Sequence, residues 1–150
     1  MWQNAHDAYL ESRILSAHPV ELVHLLYQAC TASVREARVH LENRDIAARC
    51  RSVSKAHAIL TELASSLDHE RGGDLSRRLA RLYDYMQRKL IEANFEQSDA
   101  PLAEVLGLLT TLSEAWVEIV ERPEPVAEAP NPWSVPAEPE PALAGHGWSL

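Results

Sequence analysis

Glu21 and His24 stand three residues apart, the spacing by which helical di-iron proteins aim two ligands at one metal. Such a centre needs a second Glu-x-x-His and one more inward glutamate from each remaining helix. No second copy of that spacing supports the first, and Glu62, Glu92 and Glu114 fall off the apolar stripes of their segments. The sequence has no HExxH, no glycine-rich loop between strand and helix, and no GxSxG. Cys30 and Cys50 lack CxxC spacing and sit at core positions of helical patterns, which reads as two buried free thiols rather than a disulfide or metal pair. The seven histidines are dispersed. Gly72 and Gly73 are sufficiently explained as a helix terminator. What remains is "LARLYDYMQRKLIEAN", residues 79–94, which concentrates Tyr83, Tyr85, Met86 and Asn94 without pairing a nucleophile to a base. The expectation is no enzyme, no cofactor and no metal, so function must lie in binding.

The elements that carry these residues follow from apolar periodicity. Leu22, Leu26, Ala29, Ser33, Ala37 and Leu41, widened by Val23, Cys30 and Val34, recur every three or four residues and predict a helix opened by Pro19. Asp45 is placed to cap a second helix marked by Ile46, Cys50, Val53, Leu60, Leu63 and Leu67. "DHERGGD" is expected to end it, with the two glycines as the stop and Asp74 capping a third. There Leu75, Leu79, Leu82, Tyr83, Met86, Leu90 and Ala93 share one arc, with Tyr85 on its flank and Ile91 well away from it. Leu102, Val105, Leu109, Leu112, Trp116 and Val120 mark a fourth helix, and residues 5–15 a short amphipathic piece before the first. No segment alternates with the period of a strand.

The expected fold is therefore all-α, an antiparallel up-and-down four-helix bundle with a short extra N-terminal helix and a disordered C-terminal tail. Its expected divisions are an N-terminal segment at 1–18, the bundle at 19–121 and the tail at 122–150. Leu26, Tyr27, Leu60, Leu63, Leu79, Leu82, Tyr83, Met86, Leu90 and Trp116 are the expected core. From Arg122 onward the chain holds seven of its nine prolines and almost no bulky aliphatics, too little apolar surface to offset the entropy of ordering. Within this tail "PWSV" and "GWSL" recur fifteen residues apart, either by chance in a solvated segment or as a repeated docking motif.

Net charge is −8, and the basic residues are scattered among carboxylates rather than gathered in a stripe, which argues against a nucleic-acid partner. The first residues lack the charged and apolar regions of a secretory signal, and no apolar run approaches the roughly 20 residues that cross a bilayer. A cytoplasmic protein without membrane insertion is expected.

Four strings together resemble the FliS family of flagellar secretion chaperones over about residues 8–120. They are Tyr9 followed by "ILSAHPVELVHLLYQ", "SKAHAIL" at 54–60, "LDHERGGDLSRRLARLYDYMQRKLIEAN" at 67–94, and "LAEVLGLLTTLSEAW" ending at Trp116. His18 departs from the serine or threonine usual before the proline, and the tail is longer and richer in proline than the family's common end. The resemblance implies a non-enzymatic bundle that binds the C-terminal segment of flagellin, prevents its premature polymerisation and supports delivery to the flagellar type III export gate. It also implies an N-terminal segment that packs on the bundle until flagellin arrives. Combined with the helical faces, it marks Tyr9, Ile14, Leu15, Tyr85, Ile91 and Asn94 as the expected partner contacts. An alternative of a different class is a bundle-based regulator or adaptor that recruits its partner through the tryptophan-containing tail.

Overall fold

The computed structural model describes residues 7–8 and 19–121. Four helices make up the second of these stretches: α1 Pro19–Glu42, α2 Ile46–Ser65, α3 His69–Glu96 and α4 Asp99–Glu121. No strand occurs among the described residues. Of the expected extra N-terminal helix only Asp7 and Ala8 are described, and the expected disordered tail lies outside the described residues.

Short, well-capped connections force neighbouring helices to run antiparallel. At the end of α1, Arg44 takes φ +58°. Its N–H donates to Leu41 O, and Asp45 N–H to His40 O, closing the last turn in a Schellman arrangement. Asp45 then caps α2 by accepting from Ala48 N–H at 3.1 Å. Gln97 repeats the left-handed stop at the end of α3, where φ is +53°.

The turn between α2 and α3 differs from the periodicity reading. Asp68, not Asp74, is the cap, and one carboxylate oxygen accepts from both Glu70 N–H and Arg71 N–H at 3.1 Å. With those donors satisfied, α3 starts at His69 and the glycines fall inside it. Gly73 breaks its regular path with φ +53° and ψ −129°, a conformation open essentially to glycine. Asp74 instead pairs with Arg77 on the surface. Leu75 lies on the buried arc by angle yet is 41 % exposed. Angular phase sets where a side chain points, whereas cover depends on how far a neighbouring helix extends.

Each helix packs on its neighbours in sequence, and α1 also packs on α4, which closes the square. One continuous core fills the interior. Val23, Leu26, Tyr27, Cys30 and Val34 come from α1, and Val53, Ala56, Leu60 and Leu63 from α2. Leu79, Tyr83, Met86 and Leu90 come from α3, and Leu102, Val105, Leu109 and Trp116 from α4. Leu82 is half-buried against this cluster. Across the diagonal, the hydroxyls of Tyr27 and Tyr83 meet at 2.6 Å in full burial. At one end of the bundle Trp116 Nε1–H donates to Val20 O at 3.2 Å, and at the other Arg38 grips both carboxylate oxygens of Asp99 at 2.8 Å.

Candidate functional site

Buried chemistry is held inert. Loss of hydration pushes the Cys30 thiol up to about 12 and the Tyr27 hydroxyl up to about 12, and burial raises Tyr83 as well. All three stay protonated at neutral pH, and Cys30 is wholly inaccessible. Cys50 is half-buried rather than a core thiol, because it lies at the α2–α3 seam with Asn94 against its sulfur. Among the described residues, no three His, Cys, Asp or Glu side chains gather in a group that could hold a metal.

The surface is where the molecule departs from a simple bundle. Between α2 and α3 runs a groove of about 430 Å³ lined by Val53, Ser54, His57, Ala58, Ile91, Asn94 and Phe95. Ile91 and Phe95 stand one helical turn apart on its α3 wall, 55 % and 86 % exposed. A bundle seam needs neither, since the stripe through Met86, Leu90 and Ala93 already seals the interior.

Polar ties at both ends of this groove fix its width. At one end Arg49, only 4 % exposed, donates from Nε to Asn94 Oδ1 at 2.8 Å and from Nη2 to Asn94 O at 3.3 Å. At the other, Gln87 Nε2 donates to His57 O at 3.1 Å and to Thr61 Oγ1 at 2.8 Å. The Arg49 guanidinium of α2 and the Gln87 amide of α3 thereby staple each helix to oxygens of the other, while the apolar floor stays open between them.

The fold separates residues that the sequence grouped. Tyr85 belongs to the opposite seam, between α3 and α4, where its hydroxyl donates to Glu104 and is raised by that carboxylate. Lys89 Nζ sits 5.6 Å from the Tyr85 ring centre and also pairs with Glu92. Ile91 and Asn94 share the α2–α3 groove. Tyr9, Ile14 and Leu15 lie outside the described residues.

The family model described as "Flagellar protein FliS" matches residues 2–123, nearly the whole of the chain outside the tail. The chain belongs to the FliS family. It is 38 % identical over 111 residues to the flagellar secretion chaperone FliS of Salmonella typhimurium, covering 73 % of this chain and 82 % of that one. To the flagellar secretion chaperone FliS of Bacillus subtilis it is 34 % identical over 119 residues, covering 79 % and 88 %. To the flagellar secretion chaperone FliSB of Pseudomonas aeruginosa it is 36 % identical over 107 residues, covering 71 % and 85 %. The family is one of secretion chaperones, and the FliS strings quoted above run through both walls of the groove.

Two features of this FliS-family bundle escaped the sequence reading. Phe95 follows the last apolar residue of the core arc, so the core periodicity does not mark it. Its spacing of four from Ile91, both off that arc, was the available signal. A single charged residue such as Arg49 on a helix ordinarily faces water; its burial depends on Asn94, 45 positions away, which no local pattern encodes.

Proposed function

We propose that this chain is a cytoplasmic export chaperone that holds the C-terminal segment of flagellin on the outside of its bundle, keeps it from polymerising and supports its delivery to the flagellar export gate. The observation that carries the reading is the open α2–α3 groove with Ile91 and Phe95 on its rim, in a member of a secretion-chaperone family. An amphipathic helix laid into such a groove is recognised through apolar anchors one turn apart. Burying about 400 Å² of apolar surface there gains on the order of 10 kcal/mol gross. Ordering the client and displacing any cover consume part of it, leaving a reversible complex suited to hand-over.

In this proposal Ile91, Asn94 and Phe95 touch the client directly, and Tyr85 extends the contact onto the α3–α4 seam. The N-terminal segment, through Tyr9, Ile14 and Leu15, covers the groove until the client replaces it. Asp7 supports this role: its carboxylate meets Lys55 Nζ at 3.2 Å, beside the Val53–Ala58 wall.

Mixed at micromolar concentration with a flagellin C-terminal fragment, the protein is expected to elute as a complex near one to one. Hydrogen exchange should slow at residues 53–58 and 91–95. Separate elution refutes the function, and a complex whose protection falls elsewhere refutes the groove.

A further inference from the structure

A second apolar cleft, of about 360 Å³, opens at the end of the bundle where α1 begins and α4 finishes, and Val20, His24, Trp116, Val117 and Val120 line it. We propose that this cleft is the docking site for the chain's own tail and that the indole of Trp133, in "PNPWSV", fills it. The proposal is independent of which client the α2–α3 groove holds.

Four observations converge on that occupant. Glu121, the last described residue, is itself part of the cleft wall, so the tail leaves from its rim. Trp133 follows twelve residues later, and a proline-rich stretch of that length reaches up to about 37 Å, enough to double back into the cleft. Size and chemistry agree: a cavity of roughly 150 Å³ already accepts a benzene-sized ring, so this cleft has room for an indole with Trp116 as an aromatic wall. The floor is made by Val20, Trp116, Val117 and Val120 with Glu21 and Glu121 at its edge, and His24 Nδ1 is buried in the wall with no hydrogen-bond partner. With the ring proton on Nε2 that nitrogen is an acceptor, and the indole Nε1–H is a pure donor.

Electrostatics and tethering select the part of the tail. Glu21 and Glu121 border the cleft and repel carboxylates, whereas no charged residue lies between Glu128 and Glu138. Trp148 also sits in an uncharged stretch but is tethered by a linker more than twice as long, which lowers its effective concentration about threefold. Pro132 beside Trp133 further reduces the entropy lost on docking.

The test uses the full chain with ¹⁵N-labelled tryptophan. The Trp133 indole N–H is expected to exchange about tenfold more slowly than that of Trp148, as a roughly 90 % docked ring requires, and to show nuclear Overhauser contacts to the Val117 or Val120 methyls. Val120→Glu on the exposed rim should return the Trp133 signal to the free position, and His24→Phe should do so while filling the acceptor's place. Equal exchange of Trp133 and Trp148, or contacts from Trp148 instead, overturns the proposal. So do contacts from Trp2, which would make the N-terminal segment the occupant. Protection that rises with protein concentration also overturns it, since a second copy would then be the ligand.

Discussion

Removing the Asn94 side chain attacks the strut that sets the groove. Arg49 is 4 % exposed, and its guanidinium reaches Asn94 twice, at the side-chain oxygen and at the backbone carbonyl. Asn94→Ala deletes the first of these bonds, the shorter one at 2.8 Å, and leaves the second. A hydrogen bond from a charged donor is worth about 1.5–3 kcal/mol, and a buried cation has little water to turn to. The expected loss is therefore about 2 kcal/mol, which for a domain of this size lowers Tm by roughly 6–10 °C. Asn94→Asp keeps an acceptor in the same place and adds charge assistance, so it should stay within about 1 kcal/mol of the parent. Urea unfolding followed by far-UV circular dichroism measures both variants, with an unchanged m-value as the sign that the unfolded reference is the same. If Asn94→Ala costs less than about 0.5 kcal/mol, the range of an ordinary surface change, or if Asn94→Asp costs as much as alanine, the strut argument is wrong.

Phe95→Ala should weaken flagellin-fragment binding about 10- to 100-fold by calorimetry, since full burial of such a ring is worth about 1.5–3 kcal/mol. Its 86 % exposure means that stability should move by less than about 0.5 kcal/mol. Ile91→Asp should act in the same direction, by placing an unpaired carboxylate on the same wall. Gly73→Ala meets no atom within 4 Å, so its expected cost of about 1–3 kcal/mol comes from the backbone at φ +53° and is read as a lower denaturation midpoint. The Arg38 guanidinium holds the Asp99 carboxyl below its ordinary range. A carboxyl lowered on folding stabilises the protein above its unfolded pKa and loses that contribution as pH falls through the folded value. The pair is largely exposed, so about 0.5–1 kcal/mol should disappear on acidification and be absent at all pH values in Asp99→Asn, as a pH series of denaturation midpoints would show.

Helix number, helix type and most of the interior were legible from residue order. The recurrence through Leu79, Tyr83, Met86, Leu90 and Ala93 is a local property of a 3.6-residue helix, and each of these side chains is buried in the bundle. The left-handed stops were less legible, because Arg44 and Gln97 occupy conformations that glycine would advertise. At "DHERGGD" the glycines suggested a break, and Gly73 does interrupt the helical path, but Asp68 has already capped a first turn at His69, so α3 begins before the break rather than after it. Local chemistry ranks such signals poorly when two of them compete within five residues.

The polar-aromatic run at 79–94 shows where local pattern ends. Angle around α3 distinguished Tyr83 and Met86 from Tyr85 and Ile91, because burial on a helix follows its phase. Angle could not say that Tyr85 would meet Glu104 of α4 while Asn94 met Arg49 of α2, for those partners are chosen by which helix lies on which flank. The order of apolar residues along the chain dictated that four helices would form and which stripes would face inward. The pairing of flanks into one groove with Phe95 on its rim, and another seam closed by charge, came from the packed bundle, since long-range contacts depend on handedness and spacing that no single helix carries.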